Sequence, residues 1–227
     1  MSIKNTILPP LLWLYLPIAW LIGQIMIELA FPPSAILNIH AEGNIHELLQ
    51  FGLITTSFLI CCVILFKMDR SANLWLTGWI SLSALCCFYV GIEEVSWGQS
   101  FFNWHTSTEW QQINKQGETN LHNTSRMLNQ IPRYVLMASI AIGGLIIPLI
   151  TWLKPTLILE RFSIFLPPNI LSITAICLLI IGLSNKLYKI ILDEKLFMRT
   201  SEIEEIFMFF FIFLYIVTLK KRIPTKR

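Results

Sequence analysis

Apolar residues run in long blocks along this chain, with polar residues gathered between them. The blocks are roughly Leu8–Ala30, Leu48–Phe66, Leu74–Ile92, Tyr134–Leu153, Ile170–Tyr188 and Ile206–Leu219. A helix that crosses a bilayer needs about 20 mostly apolar residues, so the pattern predicts about six transmembrane helices. The last block is short, but it opens on an acidic turn and ends on Lys220-Lys221-Arg222. Asn185, Lys186 and Lys189 interrupt the end of the fifth, where lysines can snorkel to the interface. The first block is broken near Pro9, Pro10 and Pro17. It is too long for the core of a signal peptide, and no small-x-small cleavage site follows it, so it predicts a retained helix.

The polar connections alternate in character. The N-terminus, the loop with Lys67 and Arg70, the loop with Lys154 and Arg161, and the tail hold ten Lys/Arg and two acids, Asp69 and Glu160. The opposite segments, with Glu28 at the end of the first block, hold seven Lys/Arg, twelve acids and all four histidines. Basic residues in short loops mark the cytoplasmic side, so both termini are expected there and the acidic segments outside. The expected architecture is an all-α integral membrane protein, one polytopic domain over residues 1–227. The connection over about 93–133 carries Trp97, Phe101, Phe102, Trp104 and Trp110. Aromatic residues at this density suit the headgroup layer and predict a partly helical aromatic cap on the outer face.

Composition narrows the class. The chain is 55% hydrophobic and 14% charged, against about 25% charged in soluble domains. A net charge of +3, with no basic patch interleaved with aromatics, gives no footprint for nucleic acid. Cys61, Cys62, Cys86, Cys87 and Cys177 all lie in apolar blocks. They read as small packing residues, not as a zinc ribbon or a disulfide framework.

Candidate chemistry sits where the blocks meet the acidic side. Glu93 and Glu94 end the third block, in Gly91-Ile-Glu-Glu-Val-Ser-Trp-Gly-Gln99. Acids at the end of a membrane helix are costly unless solvated, paired or metal-bound. If the helix continues, Glu93 shares a face with Val90 and Trp97, and Glu94 turns about 100° away, toward water. A second cluster is Gln116-Gly-Glu-Thr-Asn-Leu-His-Asn123. On a helix Glu118 would orient His122, or share a metal with it, and Asn120 and Asn123 would supply amides. The plainer alternatives are a water boundary for the glutamates and a capped surface helix for the second cluster. Asn123-Thr124-Ser125 also fits a glycosylation acceptor, a weak pattern.

Two more segments join them. His40-Ala-Glu-Gly-Asn-Ile-His-Glu47 leads into the second block. It places Glu42 four residues before His46, and Glu47 where a helix dipole favours an acid. His40 and His105 read as interface residues. Ahead of the last block come Asp193-Glu194 and Ser201-Glu-Ile-Glu-Glu205. Ser201 and Glu204 fit a capping box, which leaves Glu205 as the acid best placed to face a site. No HExxH, phosphate-binding loop or nucleophile elbow is present.

The first cluster, with Asn114-Lys-Gln-Gly-Glu-Thr-Asn-Leu-His-Asn123, resembles a group of uncharacterised bacterial multipass membrane proteins. Their pattern is Glu-Glu-Ile-Ser-Trp-Gly-Gln followed by Asn-x-Gln-x-Glu-x-Asn-Leu-His-Asn; here Val95 replaces the isoleucine. The resemblance covers about a fifth of the chain. It implies a shared architecture in a bacterial cytoplasmic membrane and supplies no activity. A looser similarity, by analogy alone, is to ceramidase-type membrane hydrolases, which hold zinc with three histidines and an aspartate. Here four histidines and Asp193 share a side, but the spacings differ and the set is richer in glutamate.

The leading expectation is a membrane-embedded hydrolase or transferase acting on a lipid or lipid-linked substrate at the outer face. His46 and His122, with Glu93 or Glu205, would hold zinc or another divalent metal. Glu94 would be the general base. Without metal, Glu93 or Glu94 would act as acid and Glu118 as base. Trp97, Gln99, Asn120 and Asn123 would contact substrate. The first alternative is a non-enzymatic envelope component that binds a protein or lipid partner. The second is a cation- or proton-coupled transporter or channel, against which the inner halves of the blocks carry almost no ionisable residue.

Overall fold

The computed structural model describes residues 8–39, 45–69, 73–102, 104–114, 117–121, 123–157 and 160–224. Helices are the only regular elements among them. A π-turn, Leu11–Tyr15, leads into α1 (Leu16–Ala30), then come α2 (Pro33–Ile39), α3 (Ile45–Lys67) and α4 (Leu74–Glu94). The connection beyond α4 holds the short α5 (Gln99–Phe102) and α6 (Thr108–Ile113). Next are α7 (Arg126–Ala141), a π segment (Ile142–Ile146) and α8 (Ile147–Leu153), followed by α9 (Ser172–Leu192) and α10 (Thr200–Arg222).

Five helical stretches are long and apolar enough to cross a membrane: Leu11–Ala30, Ile45–Lys67, Leu74–Glu94, Arg126–Leu153 and Asn169–Leu192. Their outward faces are apolar, with Phe66 79% and Ile190 80% exposed. A bilayer supplies the partners that water would not. The chain is therefore an all-helical multi-pass membrane protein. The sixth block differs. α10 has 23 residues, about 34 Å of helix, but its uncharged stretch is shorter than a full span needs. It is also the most enclosed element, with Phe207, Met208, Phe209, Phe210 and Phe211 all buried.

Local chemistry sets the ends. Asn73 accepts from Leu76 N at 3.0 Å and starts α4. Ser125 accepts from Leu128 N at 3.2 Å and starts α7, the capping role of a short hydroxyl. Asp193 closes α9 in the left-handed region at φ 54°. The expected capping box on α10 does not form. The helix starts at Thr200 with no side-chain cap, because Glu204 is drawn instead to Arg133.

Packing defines two sides. α3 joins α4 to α10, and α10 in turn contacts α9 and α7. The α7–α8 rod breaks into π geometry at Gly143-Gly144. A Cβ on Gly144 would lie 2.6 Å from the Ala175 Cβ and 2.9 Å from the Phe211 ring. The glycine backbone thus seats this rod against α9 and α10. α4 leans on α3 and α7 on α10, which leaves a groove between α4 and α7 floored by α10.

Candidate functional site

Two sets of carboxylates occupy the polar end of the bundle, and their surroundings differ. The first builds the turn after α4. The helix does not continue to Trp97. It stops at Glu94, and Ser96 (φ 47°), Trp97 (φ 58°) and Gly98 (φ 95°) follow in left-handed geometry. Side-chain-bearing residues seldom adopt this region, and it persists where contacts over-determine it. Here the Trp97 indole donates to Glu93 Oε1 at 2.6 Å. Ser96 Oγ donates to Glu118 Oε2 at 2.9 Å.

The same acids hold the returning chain. Glu93 Oε2 accepts from Leu121 N at 2.8 Å, and Glu118 Oε2 from Asn120 Nδ2 at 2.6 Å. Asn120 Nδ2 also donates to Ser96 Oγ at 2.9 Å. Asn114 Nδ2 donates to Asn120 O and Oδ1, both at 2.9 Å. Gln99 Oε1 accepts from Thr119 N at 2.8 Å, and Gln99 Nε2 donates to Thr106 Oγ1 at 2.9 Å. Glu93, Ser96, Asn114 and Asn120 are buried, so their polar atoms need partners. Glu118, expected on a helix, lies in irregular chain that these bonds shape.

The sequence-predicted roles change accordingly. Glu93 and Glu118 bind the turn and loop together through hydrogen bonds to the protein's own donors. Trp97 and Gln99, expected to contact substrate, spend their polar atoms on Glu93, Thr106 and Thr119. Asn120 is enclosed in the network. Asn123 is half-buried at its edge and borders the groove.

The second set is Glu94 with Glu205, Glu202 and Glu47, each of which acts electrostatically on Glu94, as Glu93 also does. All four are half-buried and line the mouth of the groove. Arg133 braces this mouth from α7. It ion-pairs with buried Glu204, lies 3.6 Å from Glu205 Oε1, and donates to Ser201 O at 3.4 Å. Gln50 Nε2 donates to Glu202 O at 3.1 Å and ties α3 to the start of α10.

From this mouth a cavity of about 1360 Å³ runs down between α4 and α7. Its walls pass from carboxylates to Val90, Cys86, Ile142, Phe209 and Ile212, and it reaches Trp79 and Tyr215. There the Trp79 indole donates to Tyr215 Oη at 2.7 Å, and Tyr215 Oη to Phe165 O at 2.8 Å. Glu94 and Trp79 are 15 residues apart on α4, about 22 Å at 1.5 Å per residue. That depth exceeds one leaflet of a hydrocarbon core about 30 Å thick. Leu82, Cys86 and Val135 border the groove and are exposed, so it opens sideways.

Of the described histidines, neither His46 nor His105 lines this groove. His46 is buried on another face of α3. It accepts from Gln24 Nε2 at 3.1 Å if the proton is on Nδ1, and its ring lies 5.9 Å from that of Trp20. His105 is exposed. His40, Glu42 and His122 lie outside the described residues, and with them the proposed His122 ligand. Among the described residues, no group of three or more His, Cys, Asp or Glu side chains is arranged to hold a metal ion. Among the described residues, the donors at the mouth are glutamates.

Sequence reasoning passed over Arg133, Gln24 and Gln50. Each is a polar residue inside or at the start of an apolar block, and that isolation was the available signal. Glu47 reads from sequence as a helix-start acid and Glu202 as one of the acids ahead of the last block, and only their convergence in the groove gives them more to do. No family model, no curated protein and no solved structure matches the chain.

Proposed function

We propose that the chain is a membrane-embedded enzyme, a hydrolase or transferase, whose substrate is a lipid or lipid-linked molecule. One observation carries this reading: the groove joins a carboxylate-lined mouth to an apolar channel deep enough for a hydrocarbon chain and open sideways to the bilayer. A lipid would place its polar part among Glu47, Glu94, Glu202 and Glu205, with its chain beside Val90, Ile142 and Phe209. Glu94 would act as general base, taking a proton from a water or hydroxyl as that oxygen bonds to the substrate's acyl or phosphoryl centre; the bond to the leaving oxygen breaks, and the proton held on Glu94 passes to it; such a group contributes about 10²- to 10⁴-fold. Glu205, positioned by Arg133, is the partner carboxylate. In this reading α10 also crosses the bilayer, giving six spans with both termini cytoplasmic and the mouth facing outward. The resemblance in the Glu93–Gln99 segment supports a bacterial cytoplasmic membrane as its location.

The test is mass spectrometry of vesicles made from total bacterial membrane lipid, incubated with wild-type or Glu94→Gln protein. One lipid class should be depleted by the wild type and spared by the variant. An unchanged lipid profile with wild-type protein sinks the enzyme reading.

A second reading is a non-enzymatic envelope component. It is favoured by the apolar surface beside the turn, where Trp97, Phe101, Phe102, Trp104 and Ile113 are exposed. That surface suits a partner protein or the headgroup layer.

A further inference from the structure

The groove has a lower end, and that end is held by contacts of its own. Along α4 the lining stops at Trp79, along α10 at Ile216 and along α8 at Ile147. At that level the segment between α8 and α9 crosses the space, bringing Phe165 and Pro167 to the lining. The Trp79 and Phe165 rings meet edge-on, 6.4 Å apart at 89°, a favoured aromatic contact. Three anchors hold the crossing segment. Tyr215 Oη donates to Phe165 O at 2.8 Å and accepts from the Trp79 indole at 2.7 Å. Arg222 Nη1 donates to Leu166 O at 2.7 Å. Pro167 lies against Gly143, where a Cβ would come within 2.9 Å of the Pro167 Cγ. The crossing is thus tied to α10 at two residues and packed on the glycine break of the rod.

On the lipid reading above, we propose that Trp79 and Phe165 are the end stop of the groove, and that the substrate is an acyl lipid of common membrane chain length. A C–C bond of about 1.5 Å at a near-tetrahedral angle advances an extended chain about 1.25 Å per carbon, so the roughly 22 Å from Glu94 to Trp79 holds at most about 17 carbons. A common acyl chain fits above the wall. A much longer chain, such as a polyisoprenoid, meets the two rings. Its end must turn out past Leu82, which is exposed at the side of the groove, and lose contact with the lining. A closed pocket discriminates one methylene by about tenfold or more; a groove open on one side discriminates less. The wall acts on the chain alone, whatever the headgroup.

The experiment is native mass spectrometry of the full chain in neutral detergent with an equimolar mixture of hexadecanoyl and tetracosanoyl monoacylglycerol. The readout is the ratio of tetracosanoyl to hexadecanoyl adduct in a variant, divided by the same ratio in wild type. Both proteins meet the same micelles, so partitioning into detergent cancels. Trp79→Ala opens the wall and should raise the ratio at least about threefold. Trp79→Phe keeps a ring against Phe165 and loses the bond to Tyr215; it should stay within about twofold of wild type, which assigns the stop to bulk. Should Trp79→Ala fail to fold, Phe165→Ala opens the wall from the other side and should give the same rise. Ile142→Trp blocks the groove above the wall and should remove both adducts. A smaller rise in the wall variants, with adducts that Ile142→Trp still removes, overturns the end stop and leaves the lipid reading standing. No adduct that Ile142→Trp can remove overturns both.

Discussion

Glu93 and Glu94 are neighbours in sequence and belong to different machines. Glu93 is 3% exposed and accepts from Trp97 and Leu121. Glu94 is half-buried and looks across a groove at carboxylates from two other helices. Adjacent helical residues point about 100° apart, so one side chain enters the turn network while the other meets the cavity. An acidic pair at a membrane boundary can therefore divide its work. One acid satisfies backbone that reverses the chain, and the other is available to a ligand.

The largest stability effect is expected at Arg133. Removing it leaves buried Glu204, packed against Gly182, without its cation, and stranding a buried charge costs about 3 kcal/mol or more. Arg133→Ala should lower the unfolding midpoint in detergent accordingly, and adding Glu204→Gln should recover part of the loss. A change under about 0.5 kcal/mol would place Arg133 among ordinary surface residues and remove the brace from the mouth.

Next comes Glu93→Ala. It removes the acceptor of the part-buried Trp97 indole and Leu121 N, and a hydrogen bond to a charged group contributes about 1.5–3 kcal/mol. Hydrogen exchange should speed at Leu121 specifically. Unchanged protection there would mean that the turn holds without Glu93.

The smallest stability effect is expected for Glu94→Gln, within about 0.5 kcal/mol of wild type, while lipid turnover falls about 10²-fold or more. A folding loss as large as that of Glu93→Ala would make the two acids equivalent and erase the contrast.

Much of the scaffold was legible. Long apolar blocks leave few options in a bilayer, and five of them became the helices expected. α10 was harder to place, because its acids and its terminal Lys220-Lys221-Arg222 shorten the apolar stretch while its faces are buried by protein. The break at Gly143-Gly144 depends on Ala175 and Phe211 across the bundle, which no local pattern encodes. At the site, helix phase places Glu93 with Val90, but its partners come within reach only because Ser96, Trp97 and Gly98 turn the chain left-handed. The spacing of Glu118 and His122 suggested a helix, whereas Glu118 bonds Ser96 and Asn120 from irregular chain. The expected metal shell rested on histidines assigned to one side by loop charge, a coarser relation than sharing a pocket; of its ligands, buried His46 bonds Gln24, and His122 lies outside the described residues.

If the groove below Glu94 holds a lipid chain while the network around Glu93 does not, photolabelling will separate the two regions. An alkyl-diazirine lipid would be cross-linked to the purified protein, with labelled residues mapped at increasing dose. The expected result is saturable labelling at Cys86, Ile142, Phe209 and Ile212, competed by unlabelled lipid, with no label on residues 117–121. Non-saturating label spread over outward residues such as Leu59, Leu85 and Ile190, with those groove positions no more reactive, would contradict it.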